Sequence, residues 1–503
     1  MTAVRPPGAV LADRDRYTAV VLAAALFVSY AYFYQAGGWN QNSRFALVRA
    51  ILERRTLQID AYHLHTGDLA FWNGHYYSDK APGSSLLAVV PVALARGIDR
   101  LVGVDPEDFP GIAWTSYVAA VSTSGVGAVA AALAVFWLSR RWGASRPAAL
   151  FASTAFGVAT PAWCYATLFM GHALTAGCLM LAFAAAAEIG EPLRDPHRPA
   201  WLIGLAGGWA VVTEFPAAVP VALIAALALA GARRAQPAGL RAVCGRIAAG
   251  GAIPAAVLLA YNVLAFGSPF HLGYTSEADP RFDIMRRGLF GISTPEWWRL
   301  REILFGSYRG LLPLAPLMGA APIGLVLLAR ARDRRLAAWT AAAIAAFYVL
   351  LNASYFYWEG GWAYGPRHVV PALPFLALGL APLWDAGRAA GRTLLGGGWF
   401  WGAALTLIAV STTPQPPAIV YMHPVRELLW PAFRDGDLSL NHQTMVHRSA
   451  DASKLRGGGV PHAAWNLGEL AGLRGRASLL PLALVWAAAS VLLCRPRITA
   501  HRS

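Results

Sequence analysis

An all-α, polytopic membrane protein is the architecture this chain should adopt, and three observations require it. Of its 503 residues, 56% are hydrophobic and 14% charged, with a mean hydropathy of +0.44, whereas a soluble domain carries about 25% charged residues. Apolar runs such as 17–34, 247–266 and 336–351 supply roughly the twenty residues that cross a hydrocarbon core of about 30 Å. Arginine gathers in alternate short loops, as it does where loops face the cytoplasm.

Taken in order, the apolar runs place spans near 17–35, 111–138, 147–165, 172–189, 200–214, 217–232, 247–266, 309–329, 336–353, 368–386, 394–412 and 477–494, about twelve helices. The first run follows a short basic head, is tyrosine-rich and lacks a small-residue cleavage site, so it reads as a retained anchor. The loops 139–146, 190–199, 233–246, 330–335 and 387–393 hold fifteen arginines; the alternating loops 166–171, 215–216 and 354–367 hold one, Arg367. The first set therefore faces the cytoplasm. Arginines 5, 14 and 16 near the N-terminus and 495, 497 and 502 near the C-terminus ask for the same side, which requires an even number of spans. The further apolar run 84–102 then lies along or dips into the outer face. The expected setting is the plasma (inner) membrane, with both termini cytoplasmic.

Three long outer segments result, 36–110, 267–308 and 413–476, and segments of that length usually carry function. Within the first, NSRFALVRAILERR sets Phe45, Val48, Ile51 and Leu52 on one side and Arg49 with Glu53 on the other, the pattern of an interfacial helix capped by Asn42 or Ser43. The net charge of +15 is explained by topology, and no basic stripe interleaved with aromatics points to nucleic acid. The four cysteines, Cys164, Cys178, Cys244 and Cys494, lie in or beside apolar runs without metal-binding spacing and read as packing residues.

The ionisable residues sort to the outer side. Glu214 closes one span and His172 opens another; Glu359, Arg367 and His368 stand among Trp358, Trp362 and Tyr364; Arg309 starts a further span. Ionisable groups at such depth are costly, and carboxylates mixed with arginines suit an anionic headgroup at the membrane surface. Gly360, Gly361 and Gly365 leave room for close backbone approach. Lysine occurs twice, at 80 and 454, against forty arginines. Lys80 follows Asp79 and precedes Ala81-Pro82-Gly83, leading into the apolar run 84–102.

An outer segment straight after the first span, an amphipathic helix, a Lys-x-Pro element at 80–82 and then alternating spans resemble the GT-C superfamily of polyprenyl-phosphate-sugar-dependent glycosyltransferases. The likeness is nearest to its protein-mannosyltransferase and lipid A aminoarabinose transferase branch, where the element reads Lys-Pro-Pro-Leu. SDKAPG, GPRH and RGLLPLAP are also similar to stretches of bacterial membrane proteins grouped as family 39 glycosyltransferases. The resemblance extends to about residue 390. It implies a catalytic module over 1–390, followed by a C-terminal part, 391–503. In that part Trp430, Phe433 and Trp465 suggest that the outer segment 413–476 packs as a small cap that selects the acceptor rather than forming a loose loop, and deletion of 435–460 would then change acceptor use. The resemblance further implies a membrane-borne polyprenyl-phosphate monosaccharide as donor, inverting transfer to a glycan, lipid or protein hydroxyl, and a site on the outer face. The family's acid directly after the first span is replaced by Asn40-Gln41-Asn42, and the acid of its second outer loop falls near His172.

A carboxylate must take the acceptor proton, and cations must hold the departing phosphate. Asp79, Asp60 and Asp68 are the candidate bases, Asp79 foremost. Lys80 suits a phosphate whose geometry changes, and Arg44, Arg309 and Arg367 grip through planar forks. His172, Glu214, Glu359, His368 and Tyr77 complete the substrate-binding set. No dense carboxylate cluster stands in the sequence, so neither a metal nor another cofactor is expected. A transporter or flippase of lipid-linked sugars would instead show internal repeats and mid-span charges, and neither is present. A cell-wall assembly scaffold has no need of ionisable residues near the membrane in six places.

Overall fold

The computed structural model describes residues 13–189, 196–235, 237–286, 289–441, 445 and 464–494. Helices dominate it, as long apolar runs without water to satisfy their backbone require. Among the described residues seven helices are long and apolar enough to cross a membrane: Gly111–Arg141, Gly171–Ile189, Phe215–Ala235, Pro237–Phe266, Arg335–Ser354, Ala389–Thr412 and Gly475–Leu493. The bent pair Arg367–Ala377 and Leu380–Ala386, with 42° between its halves, makes an eighth if it forms one span. The other four expected positions hold the helices Asp13–Ala31, Arg146–Val158, His197–Thr213 and Leu317–Ala329. These are shorter or, at Asp13–Arg16, headed by charge, so a count of twelve depends on them.

Close helix packing comes from paired small residues. A side chain on Gly177 would strike the backbone of Gly127, so only glycine lets Gly171–Ile189 lie directly on Gly111–Arg141. The C-terminal helix packs on the N-terminal one, where Trp486 Nε1 donates to Ser29 Oγ at 2.9 Å. The arginine-rich loops gather at one end: Asp15 accepts from Arg140 and Arg146 at 3.1–3.2 Å, and Asp385 accepts from the Ser145 N–H at 2.7 Å. Residues 172, 214 and 352–368 lie at the far ends of the helices that leave these loops.

Two expectations are corrected. The helix in the first outer segment begins at Trp39 with Gly38 as its N-cap and no side-chain cap, and Ala50–Arg54 continues it as a π turn. It is interior rather than interfacial, because Phe45, Leu47 and Val48 are buried and Arg49 pairs inward with Glu53 at 2.9 Å. Glu53 also accepts from Arg96 at 2.6 Å, so charge is neutralised inside the protein instead of facing water. Cys244 is exposed, unlike buried Cys164, because it sits on the polar turn that starts its helix.

The run 84–102 forms the helix Gly83–Leu101. Its Leu87, Val90, Leu94 and Ile98 are exposed, while Ser84, Ser85, Ala88, Val92, Arg96 and Asp99 face the protein. An exposed apolar stripe over a polar buried one is the pattern of a helix seated at a lipid surface. Of the outer segment 413–476, the stretch 442–463 apart from Met445 lies outside the described residues, and with it most of 435–460.

Candidate functional site

The site is built on a small hairpin. Asn73 and Gly74, both at positive φ (49° and 85°), form the tight turn that Asn-Gly favours. The turn pairs Ala70 with Tyr77, Phe71 with Tyr76 and Trp72 with His75. Antiparallel pairing brings the residues just beyond its open end together: the register continues to Asp68 opposite Asp79, and the ammonium of Lys80, next along the chain, stands 3.0 Å from Asp68 Oδ2. Asp79 pairs with the same ammonium and accepts from Ser43 Oγ at 3.3 Å. Glu277 joins from the segment 267–308, where it bridges Ala70.

Three glycines permit this convergence. A Cβ on Gly83 would stand 2.5 Å from Thr213 Oγ1, one on Gly171 would stand 2.8 Å from Glu214, and one on Gly273 would stand 2.9 Å from the Asp79 backbone. The Lys80-Ala81-Pro82-Gly83 element thus docks on the end of helix His197–Thr213 with no intervening side chain. Arg44 fastens it from the other side, donating to Ala81 O at 2.9 Å and to Asn40 Oδ1 at 3.0 Å.

Burial sets the electrostatics. Burial pushes Asp68 above the usual carboxylate range; Lys80 opposes the shift and Asp79 adds to it. For Lys80, burial acts downward, but Asp68 and Asp79 outweigh it and hold the ammonium well above the usual lysine range. Burial, with Asp79 beside it, pushes Glu277 up to about 10. The surroundings thus favour the charged form of the lysine and the protonated form of Glu277.

Two cavities meet here. The larger, about 430 Å³, is lined by Arg44, Lys80, His172, Glu214 and His368 at its polar end and by Phe215, Val219, Phe347 and Leu351 at its apolar end. The smaller, about 360 Å³, is lined by Trp39, Arg281, Gly360, Gly361, Trp362 and Gln415. Asn40, Asp68, Phe282, Tyr357 and Arg367 line both. A carboxylate thus stands where the two spaces join, beside a lysine at the head of an apolar groove. Among the described residues no group of three His, Cys, Asp or Glu side chains is arranged to hold a metal ion.

No protein-family model and no curated protein matches the chain. Solved structures do. ArnT from Cupriavidus metallidurans in the apo state aligns with a TM-score of 0.51 at 17% identity, over 95% of this chain and 76% of that one. The same protein bound to undecaprenyl phosphate aligns with a TM-score of 0.50 at 16% identity, over 95% and 75%. The fold is GT-C-like. At such identity the likeness speaks for the architecture of this GT-C-like chain and leaves its site to be argued from its own residues.

Seven of the residues singled out by sequence line the larger cavity: Asp68, Lys80, Arg44, Arg367, His172, Glu214 and His368. The other five do not. Asp79, the foremost candidate base, is buried behind Lys80 with 1% exposure and lines neither cavity. Asp60 lies half-exposed on the outside of the hairpin, accepting from the Tyr76 N–H at 2.6 Å and paired with His75 at 2.8 Å. Tyr77 packs on Phe266 with 5.1 Å between ring centroids, which turns it away from the cavities. Arg309 is buried, stacks on Tyr308 and donates to the carbonyls of Glu359 at 3.3 Å and Gly361 at 2.8 Å. It therefore holds the Gly360-Gly361 turn in place and does not reach the larger cavity. Glu359 meets Arg309 through its backbone and lines neither space. Asn40 and Glu277 were missed. Asn40 holds the junction where the family's acid was expected, and the bridge to Ala70 that brings Glu277 in is a long-range contact with no local pattern.

Proposed function

We propose that this GT-C-like protein is a membrane glycosyltransferase that moves a monosaccharide from a polyprenyl-phosphate donor to an acceptor hydroxyl on the outer face. The observation that carries the reading is Asp68 at the junction of two cavities with Lys80 at 3.0 Å. The donor's isoprenoid suits the apolar end of the larger cavity, and its phosphate suits Lys80, Arg44 and Arg367. The acceptor enters through the smaller cavity. Its hydroxyl oxygen attacks the sugar's anomeric carbon while Asp68 takes the hydroxyl proton. The new C–O bond forms as the bond to the phosphate oxygen breaks, and the electron pair leaves with the polyprenyl phosphate. Attack opposite the leaving group inverts the anomeric centre.

The cations act where charge grows. The ester phosphate gains negative charge on leaving, and an ammonium with three rotatable donors follows that change while the Arg44 and Arg367 forks fix orientation. No divalent ion is needed in this scheme, because Lys80 stands beside the carboxylates. The far end of the bundle, with its arginines, faces the cytoplasm in this reading, which puts both cavities on the outer side of the inner membrane.

The test uses proteoliposomes of the purified protein, undecaprenyl-phosphate-linked labelled sugars and an envelope glycan extract. Label should reach the extract in wild type, persist in EDTA and disappear with Lys80→Ala. Equal transfer by Lys80→Ala would refute the assignment.

A further inference from the structure

Three buried polar atoms without a hydrogen-bond partner line one wall of the larger cavity: Tyr348 Oη, Asn352 Oδ1 and His368 Nε2. None of them takes part in the steps above. Tyr348 is 2% and Asn352 0% exposed. The two are four residues apart in helix Arg335–Ser354, so consecutive turns aim them at the same side. Asn352 is fixed in orientation, because its Nδ2 donates to Trp358 O at 2.8 Å. That leaves Oδ1 as an unpaired acceptor on a residue that lines the cavity.

Other polar groups adjoin these three. His368 stands edge-on to His172, 5.7 Å between centroids, and to Tyr355, 5.3 Å. His172 Nδ1 lies 2.6 Å from Glu214 Oε1, close but not aligned as a hydrogen bond. Buried polar atoms are seldom left unpaired, and a ligand that pairs them binds with a corresponding gain. The Glu214 carboxylate and Asn352 Oδ1 are acceptors, and Tyr348 can accept as well as donate. Hydroxyl or amine donors answer them. A phosphate, which only accepts when ionised, answers Lys80 and Arg44 instead.

We propose that this wall seats the donor's sugar, with Tyr348 and Asn352 reading its hydroxyls, and that the sugar is a neutral or amino sugar rather than a uronic acid. With Lys80, Arg44 and Arg367 occupied by the phosphate, a uronate carboxylate at this wall would face Glu214, and like charges in a desolvated site repel. The inference rests on the reading of the larger cavity as the donor site.

The experiment compares binding of three probes to full-length protein in nanodiscs: undecaprenyl phosphate, its mannosyl ester and its glucuronosyl ester. Tyr348→Phe keeps the ring and removes a hydroxyl that no protein group bonds, so its melting temperature should not fall. It should weaken the mannosyl ester about tenfold, the equivalent of one lost hydrogen bond, and leave undecaprenyl phosphate unchanged. Asn352→Ala should do the same where it folds. Wild type should bind the glucuronosyl ester more weakly than the mannosyl ester, and Glu214→Gln should narrow that gap. Equal effects of Tyr348→Phe on the sugar-bearing and sugarless lipids would overturn the subsite, as would equal wild-type affinity for the two esters. If wild type binds none of the three, the donor reading falls and the subsite with it.

Discussion

Asp68→Asn keeps the side chain's shape and removes both its charge and its ability to take a proton. Lys80 loses one of its two carboxylates but keeps Asp79. Stripping a buried charge of its only partner costs about 3–5 kcal/mol; with Asp79 in place the loss of stability should be well below that. Catalysis should suffer far more, because a positioned general base contributes about 10²–10⁴-fold. Single-turnover transfer in proteoliposomes should therefore fall by that factor, while the Kd for undecaprenyl phosphate stays within a few-fold. The pH profile supplies a second readout. Burial holds Asp68 above the usual carboxylate range and a base must be unprotonated, so the rate rises with pH through that raised value, and the limb should vanish in the variant. Asn40 lines the same junction, so Asn40→Asp added to Asp68→Asn should restore part of the rate. An Asp68→Asn protein with the wild-type rate and pH limb would refute the reasoning.

Other substitutions separate the remaining roles. Gly83→Ala forces a methyl to within 2.5 Å of Thr213 Oγ1 and 2.7 Å of its backbone nitrogen. Overpacking of this kind costs about 1–3 kcal/mol; thermal unfolding should show it, with weaker binding of undecaprenyl phosphate because the strain falls beside Lys80. Arg309→Lys loses the fork that holds the Glu359 and Gly361 carbonyls. It should raise the acceptor KM several-fold and leave donor affinity alone; the opposite split would return Arg309 to the phosphate. Glu277 is raised from about 4.5 in the unfolded chain to about 10 in the folded protein. Its contribution to stability is full below about 4.5 and is lost as pH rises toward about 10. Glu277→Gln, which mimics the protonated form, should flatten the fall of melting temperature between pH 6 and pH 9; an unaltered slope would show that Glu277 is ionised.

Much of the architecture was legible because hydropathy and arginine placement are direct consequences of the bilayer. Lys80 was legible for a related reason: a lone lysine in an arginine-rich chain, set before a Pro-Gly, stands out without any knowledge of its partners. The placement of the acids was not. Adjacency along the chain favoured Asp79, but Asp79 is buried behind Lys80, and Asp68, brought in across the hairpin register, is the carboxylate that lines both cavities. The signal for that register was Asn73-Gly74, flanked by aromatic residues on both sides. Tyr348 and Asn352 were hidden by their setting, since both fall in a run that reads as one more apolar span. Glu277 depends on a bridge between segments some two hundred residues apart, which no local pattern encodes.

The hairpin's turn is also a ruler. Strand pairing lets the identity of residues 71, 72, 75 and 76 vary, but inserting or deleting one residue shifts the register and turns every following side chain to the opposite face. Asp68 and Lys80 would then part company although both letters remained. The chain between them can tolerate several spellings but only one length.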